Sequence, residues 1–246
     1  MRSRTILLAA SLLCAAALAP AQQPRKVQIT DVKVGQGQPV KNGDLLLVEY
    51  TGTFKDGKQF DSNAKPDGTP FALRLGAGNV IKGWDEGLVG MRVGGVRKLV
   101  IPWEKAYGST GTDRIPPKTD LYFTVKLLDA VRAGEERVYD KKDLKVGTGA
   151  VAKDGKPGSK VTIHYVGKLV NGRVFDDSRQ RNVPAVFTIG KGDVLRALEK
   201  AIVGMRVGGK RWVRLPPQLA FGAYGRGSVV PPNSIVIYEV ELLKVE

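Results

Sequence analysis

The residues in the first half of this chain that could act on a ligand are aromatic. They are Tyr50, Phe60, Phe71, Trp84, Tyr107 and Phe123, with one carboxylate, Asp61, directly after Phe60. Aromatics in a small β domain are ordinarily core. Two features argue for more than core. Tyr107 falls in a glycine-flanked loop, Ala106-Tyr107-Gly108, and a core has no use for Asp61, because carboxylates are seldom buried unpaired. Such a set makes an apolar pocket with one or two polar groups. It does not make acid–base or nucleophilic chemistry, for which the chain has no nucleophile–base pair and no phosphate loop. The single histidine, His164, reads as a structural or exposed strand residue. With one His and one Cys, the sequence contains no metal-ligand cluster and implies no cofactor.

The element that must carry Trp84 is the stretch Gly78 to Gly90. Ile81, Trp84, Leu88 and Val89 fall at i, i+3, i+7 and i+8, which predicts one apolar face on a short helix. Glycines at 78, 83, 87 and 90 bracket and weaken it, so it needs tertiary packing. An indole on such a helix can floor a pocket. Around it the pattern predicts strands. Residues 27–34 alternate as a half-buried strand; 45–52, 71–75, 97–102 and 121–128 follow, with a hairpin turn at 55–58. Residues 103–119 form a loop long enough to be functional.

The same order returns in the second half. Val48-Glu49-Tyr50-Thr51-Gly52 recurs as Ile163-His164-Tyr165-Val166-Gly167, and Gln59-Phe60-Asp61 as Val174-Phe175-Asp176. Gly90-Met91-Arg92-Val93-Gly94-Gly95 recurs unchanged from Gly204, and Ile115-Pro116-Pro117 as Val230-Pro231-Pro232. A period of roughly 115 residues is too long for a solenoid and means two copies of a complete domain. Strands broken by one helix predict α+β domains, each an antiparallel sheet curled over a short helix. The expected boundaries are 24–131 and 138–246, joined by a short polar linker, 132–137.

Arg2 and Arg4 precede an apolar run from Ile6 to Ala19, followed by Pro20-Ala21-Gln22. This is the layout of a secretory signal over residues 1–21 and is short for a membrane span. Export to a periplasm or the exterior is expected, with no stable membrane insertion once the signal is gone. Cys14 would leave with it, so the mature domains would stand on their cores without disulfides. The net charge is +15, but lysines and arginines are scattered and accompany no nucleic-acid motif. A solvated basic surface is the expectation, with no nucleic-acid partner.

Val48 to Gly52, Asp56 to Ser62, Val80-Ile81-Lys82-Gly83-Trp84, Ala106-Tyr107-Gly108 and Ile115-Pro116-Pro117, with their partners in the second copy, resemble the rapamycin-binding FKBP family of peptidyl-prolyl cis-trans isomerases. The resemblance implies two tandem FKBP-like domains, each with a hydrophobic proline pocket between sheet and helix. In the first domain it assigns Tyr50, Phe60, Phe71, Val80, Ile115 and Phe123 to substrate binding. It assigns Asp61, Ile81, Trp84 and Tyr107 to catalysis. Trp84 would be the floor, the Ile81 N–H would donate to a substrate carbonyl, Tyr107 would donate from its loop, and Asp61 would stand at the wall, near the twisting amide or held by Tyr50. In the second domain the implied pocket is Tyr165, Phe175, Asp176, Arg181, Phe187, Val194, Leu195, Leu198, Phe221, Val230 and Tyr238.

The copies differ where it matters. Leu198 stands for Trp84, Ala185 for Phe71, Phe221 for Tyr107 and Tyr238 for Phe123, while the first copy lacks an arginine matching Arg181. The expectation is isomerisation of Xaa-Pro segments of exported proteins, mainly by the first domain, by a monomer open to rapamycin-type ligands. The alternative is a chaperone-like module that holds unfolded chains, above all in the second domain.

Overall fold

The computed structural model describes residues 25–66, 68–154 and 158–246. The expected signal segment, with Arg2, Arg4 and Cys14, lies outside the described residues. The first half contains β1 (Gln28–Lys33), β2 (Leu45–Thr53), β3 (Gln59–Ser62), β4 (Phe71–Arg74), α1 (Lys82–Gly87), β5 (Val96–Ile101) and β6 (Leu121–Val131). The second contains β7 (Asp140–Lys145), β8 (Lys160–Leu169), β9 (Val174–Asp177), β10 (Ala185–Thr188), α2 (Arg196–Ile202), β11 (Lys210–Leu215) and β12 (Val236–Val245). Each half is one antiparallel six-stranded sheet. In the first the order is β1-β5-β6-β2-β3, and β4 pairs with the other end of β2. In the second β8 takes the place of β2, with β10 along its first residues and β9 along its last.

Each helix packs on its own sheet. In the first domain the contact is unusually close: a Cβ on Gly83 would meet Ile101 Cγ2 at 2.2 Å. Glycine in α1 is therefore what lets the helix approach, not only a weakness in it. The helix ends early. The buried Arg97 donates from Nη1 to the carbonyls of Gly87 and Val89, each at 2.8 Å, and pairs with Asp31 through Nε at 2.7 Å and Nη2 at 3.0 Å. These bonds satisfy carbonyls that a helix end leaves orphaned. Leu88 is buried as the spacing predicts, but Val89 lies beyond the helix and is 43% exposed, so the expected apolar face stops one residue short. Arg211 repeats the device, donating to Ala201 O and Val203 O and pairing with Asp143.

The expectation of a half-buried strand at residues 27–34 needs correction. All residues of β1 are exposed, because it is the edge strand of its sheet and pairs only with β5. β2 departs in the opposite direction. Leu46 and Val48 enter the first core, while Leu45 and Leu47, on the other face, cluster with Val131 and with Ile235 of the second domain. Ala72 and Val170 close this cluster. A strand buried on both faces reads as an unbroken apolar run, which is how Leu45-Leu46-Leu47-Val48 reads. Its counterpart, Lys160-Val161-Thr162-Ile163, alternates and has one buried face. Arg214 adds a bidentate pair to Asp129, at 2.7 and 2.8 Å, and Asn171 Nδ2 donates to Gly68 O at 2.8 Å. The two domains are thus in direct contact. The connecting segment is pinned as well: Arg132 Nη1 pairs at 2.7 Å with Asp44, which is fully buried.

Candidate functional site

Trp84 is on α1, Tyr50 on β2, Phe60 and Asp61 on β3, Phe71 on β4 and Phe123 on β6. Alternation puts Tyr50, Phe71 and Phe123 on the face that covers the helix, and a register shift opposite Gly52 and Thr53, which leaves Phe60 as an extra residue in β3, lets Phe60 and the adjacent Asp61 both reach the site. Gly52 permits this packing, since a Cβ there would lie 2.6 Å from Phe60 and 2.8 Å from Phe123. Trp84 is 4% exposed and meets three rings near perpendicular: Tyr50 at 5.1 Å, Phe123 at 5.3 Å and Phe71 at 6.0 Å between centroids. Edge-to-face packing of this kind fixes each ring and leaves little freedom to collapse. Its indole N–H is buried with no hydrogen-bond partner among the described residues.

Above Trp84 opens a cavity of about 280 Å³, lined by Tyr50, Phe60, Asp61, Phe71, Asn79, Val80, Ile81, Trp84, Tyr107 and Phe123. Tyr50 donates its hydroxyl to Asp61 Oδ2 at 2.7 Å. Burial, with the Asp61 charge beside it, pushes the Tyr50 phenol well above its ordinary range, so it stays a donor. Ile81 caps the start of α1; its carbonyl accepts from Trp84 N at 2.8 Å, while its own N–H has no partner among the described residues. The preceding loop is tied to the helix by Asp85, which accepts from Gly76 N at 2.8 Å and Gly78 N at 3.0 Å. Tyr107 is 40% exposed at the rim, with its hydroxyl unpaired among the described residues.

One assignment drawn from the sequence falls differently, and one lining residue was not assigned. Ile115 does not line the cavity; it is 5% exposed and packs in the core, because Thr112 and the Ile115 backbone fold its loop inward. Asn79, which the sequence reading passed over, does line it. It directly precedes Val80, and its position in that stretch was the available signal.

The second domain forms a cavity of about 360 Å³, lined by Ile163, Tyr165, Asp176, Ala185, Asp193, Val194, Leu195, Leu198, Phe221, Arg226 and Tyr238. Phe175, Phe187 and Val230 were expected there but lie off the lining. Phe187 and Val230 are buried core, and Phe175 packs against that core and against Tyr238 at 5.9 Å. Arg181 reaches the site indirectly: it pairs with Asp176 and donates to the Tyr165 hydroxyl at 3.2 Å. Tyr165 in turn donates to Asp176 Oδ2 at 2.9 Å. Burial acts to raise the Asp176 carboxyl, but the Tyr165 hydroxyl and the Arg181 guanidinium outweigh it and hold it below the usual range. Glu199 ties Gly190 and Gly192 to α2 as Asp85 does in the first domain. His164 Nδ1 lies 3.0 Å from Ser178 Oγ, away from this cavity. Ile163, Asp193 and Arg226 were missed. Arg226 lies in a loop one residue longer than its counterpart, so the repeat offered no aligned pocket residue to flag it.

A family model for FKBP-type peptidyl-prolyl cis-trans isomerase matches residues 36–128 and 152–243. The chain is 37% identical over 212 residues to the mouse peptidyl-prolyl cis-trans isomerase FKBP10, covering 84% of this chain and 35% of that protein. It is 53% identical over 103 residues to FK506-binding protein 4 of Neurospora crassa, covering 42% of this chain and 22% of that one. Among solved structures, FkpA from Escherichia coli is 40% identical with a TM-score of 0.41, covering 46% of this chain and 54% of that one. The chain thus spans about a third of the length of the first of these relatives. With both of its halves matched in order, the chain belongs to the FKBP-type peptidyl-prolyl cis-trans isomerase family.

Proposed function

We propose that this protein isomerises Xaa-Pro peptide bonds in polypeptides outside the cytoplasm, with the first domain as the main catalyst. The observation that carries the reading is the Trp84-floored cavity with the unpaired Ile81 N–H at its edge. Peptide rotation has a barrier of about 18–20 kcal/mol, and uncatalysed Xaa-Pro isomerisation takes tens to hundreds of seconds. At the top of that barrier amide resonance is lost and the carbonyl is less polar. An apolar, water-poor pocket penalises the planar amide more than the twisted one, which is differential binding of the transition state. Trp84, Tyr50, Phe71 and Phe123 would hold the proline ring, and the Ile81 N–H would hold the carbonyl of the bound segment. Tyr107 would donate from the rim. Asp61, held by Tyr50, would stand beside the twisting bond. No proton transfer or covalent step is needed.

The test is proline-limited refolding of a model substrate by the full chain, with and without a rapamycin-type ligand. Acceleration that the ligand abolishes is expected; refolding no faster than the uncatalysed rate would refute the reading. Export is part of the same proposal and rests on residues 1–21. A mature N-terminus near Gln22, read by mass spectrometry, is expected, and full-length chain recovered from the cytoplasm would overturn it. A second reading, a polypeptide-holding module, is favoured for the second domain by Leu198, Ala185 and Phe221, which replace the aromatic floor, wall and loop hydroxyl.

A further inference from the structure

The second pocket has gained groups as well as lost them. Tyr238 is 5% exposed, lines the cavity and has no hydrogen-bond partner among the described residues. In the first domain the same position on β6 is Phe123, which offers only carbon. Most of the ring is buried, but the hydroxyl is not among the fully buried unpaired polar atoms, so it is a free donor open to the cavity. Burial raises this phenol, and Tyr165, Arg226 and Asp176 act on it in turn.

That wall is rich in donors. Arg181 and Arg226 both converge on the one carboxylate of Asp176, which also accepts from Tyr165. The Arg226 contact is long, at 3.4 Å, and its guanidinium lies 5.8 Å over the Phe221 ring. Arg226 is half exposed on its loop, so it can turn to a new acceptor at little cost. The lining holds Asp176, Asp193 and Arg226, with Arg181 behind Asp176 supplying the second positive charge; the first cavity is lined by a lone carboxylate, Asp61, with no cation. The apolar remainder, including Leu198 and Ala185, leaves room for a side chain.

We infer that the second pocket binds an apolar residue that carries a carboxylate next to it, with Tyr238 and Arg226 donating to that carboxylate. The carboxylate could come from an acidic side chain or from a chain terminus. This rests on the reading of the second domain as a polypeptide-holding module, and it adds what that module selects.

The experiment uses the full chain and dye-labelled peptides in physiological salt, read by fluorescence anisotropy. One peptide holds Leu-Glu within a capped glycine-serine sequence, a second holds Leu-Gln, and a third ends in leucine with a free carboxylate. The Glu peptide, the free-terminus peptide or both should bind at least about tenfold more tightly than the Gln peptide, since hydrogen bonds to charged groups are the strong ones. Which of the two binds identifies the source. Tyr238→Phe and Arg226→Gln should each remove most of the difference. Ala185→Phe, which copies the first domain and fills the cavity, should abolish binding of all three. Equal binding of all three peptides would overturn the inference. So would a preference that survives Tyr238→Phe and Arg226→Gln together, because the basic surface would then be its source. Turnover of an Xaa-Pro peptide is measured on the same samples. Selective binding without turnover would sink the enzymatic reading and support this one; turnover without selectivity would do the reverse.

Discussion

The two domains use one frame and differ in what they hang on it. Both sheets have the same strand order, both helices are stopped by a buried arginine, and both loops are tied to the helix by a carboxylate. The differences lie on two surfaces. One is the pocket, where Trp84, Phe71 and Tyr107 meet Leu198, Ala185 and Phe221. The other is the face beside the β2–β3 hairpin. In the second domain Val170 and Ile235 make that face apolar, and it packs on Leu45 and Leu47 of the first. In the first domain the same positions are Lys55 and Asp120, and Asp120 is held by Arg25 at 2.7 Å. A duplicated fold can thus keep its skeleton while one copy turns a surface into an interface and the other keeps it charged and wet.

The shared skeleton gives the largest expected effect. Arg97→Ala would leave the carbonyls of Gly87 and Val89 and the carboxylate of Asp31 without a partner, and should cost about 2–4 kcal/mol. Arg211→Ala should cost the second domain a similar amount. Denaturant unfolding followed by hydrogen exchange in each domain checks both. A loss of less than about 0.5 kcal/mol in either would mean that the buried arginine is not what holds the helix end.

The interface comes next. Arg214→Ala removes the bidentate pair to Asp129 and the bond to Ala130 O, worth about 1.5–3 kcal/mol for hydrogen bonds to a charged group. Calorimetry should then show two separated transitions where the parent shows closer coupling. No change in their separation would make the contact incidental.

The pocket should matter mainly to turnover. Trp84→Leu gives the first domain the floor of the second. Losing on the order of 100 Å² of apolar contact weakens binding by roughly 2.5 kcal/mol, at about 25 cal/mol per Å². If half of that is felt at the twisted state, kcat/KM on an Xaa-Pro peptide falls about eightfold. Leu198→Ala should change it less than about twofold. The opposite pattern would make the second domain the catalyst.

Much of this was legible in the sequence, for reasons that differ by residue. Trp84 was legible because a bulky ring among glycines at helical spacing has few other uses. The duplication was legible from Gly90 to Gly95 and Gly204 to Gly209, which are identical. The ends of α1 were not, because Arg97, which stops it, comes ten residues later and acts through space. The apolar run of β2 signals a second buried face, but what covers it was not legible, because Ile235 comes from the other domain. Ile115, Phe187 and Val230 were drawn into the pockets by motif, although their backbones turn them into the core. Arg226 was invisible because it lies where the two copies differ in length.

The smallest effect concerns acid, and it separates the domains again. Asp44 is fully buried in the first domain. Burial alone would raise its carboxyl, but the N–H groups of Ala133 and Lys41 and the Arg132 guanidinium outweigh that and lower it. The matching residue of the second domain is Ser159, whose Oγ accepts from Lys153 N at 3.0 Å and carries no charge. A carboxyl lowered in the folded state contributes its full stability above the unfolded value, near pH 4, and loses it as pH falls through the lower folded value. Asp31 and Asp143, each lowered by its arginine, lose theirs over the same window and so cancel between the domains. Asp44 has no charged counterpart, while Glu104 and Asp120 of the first domain and Asp176 and Glu246 of the second are lowered by partners of their own, so its effect is read against its own substitution. On titration from pH 5 downward β2 should therefore lose protection more steeply in the parent than in Asp44→Asn, as seen by hydrogen exchange, with β8 the same in both. Asp44→Asn should weaken the first domain at neutral pH and flatten its response to acid. If Asp44→Asn left the acid response of β2 unchanged, Asp44 would not be the group through which acid opens the first domain.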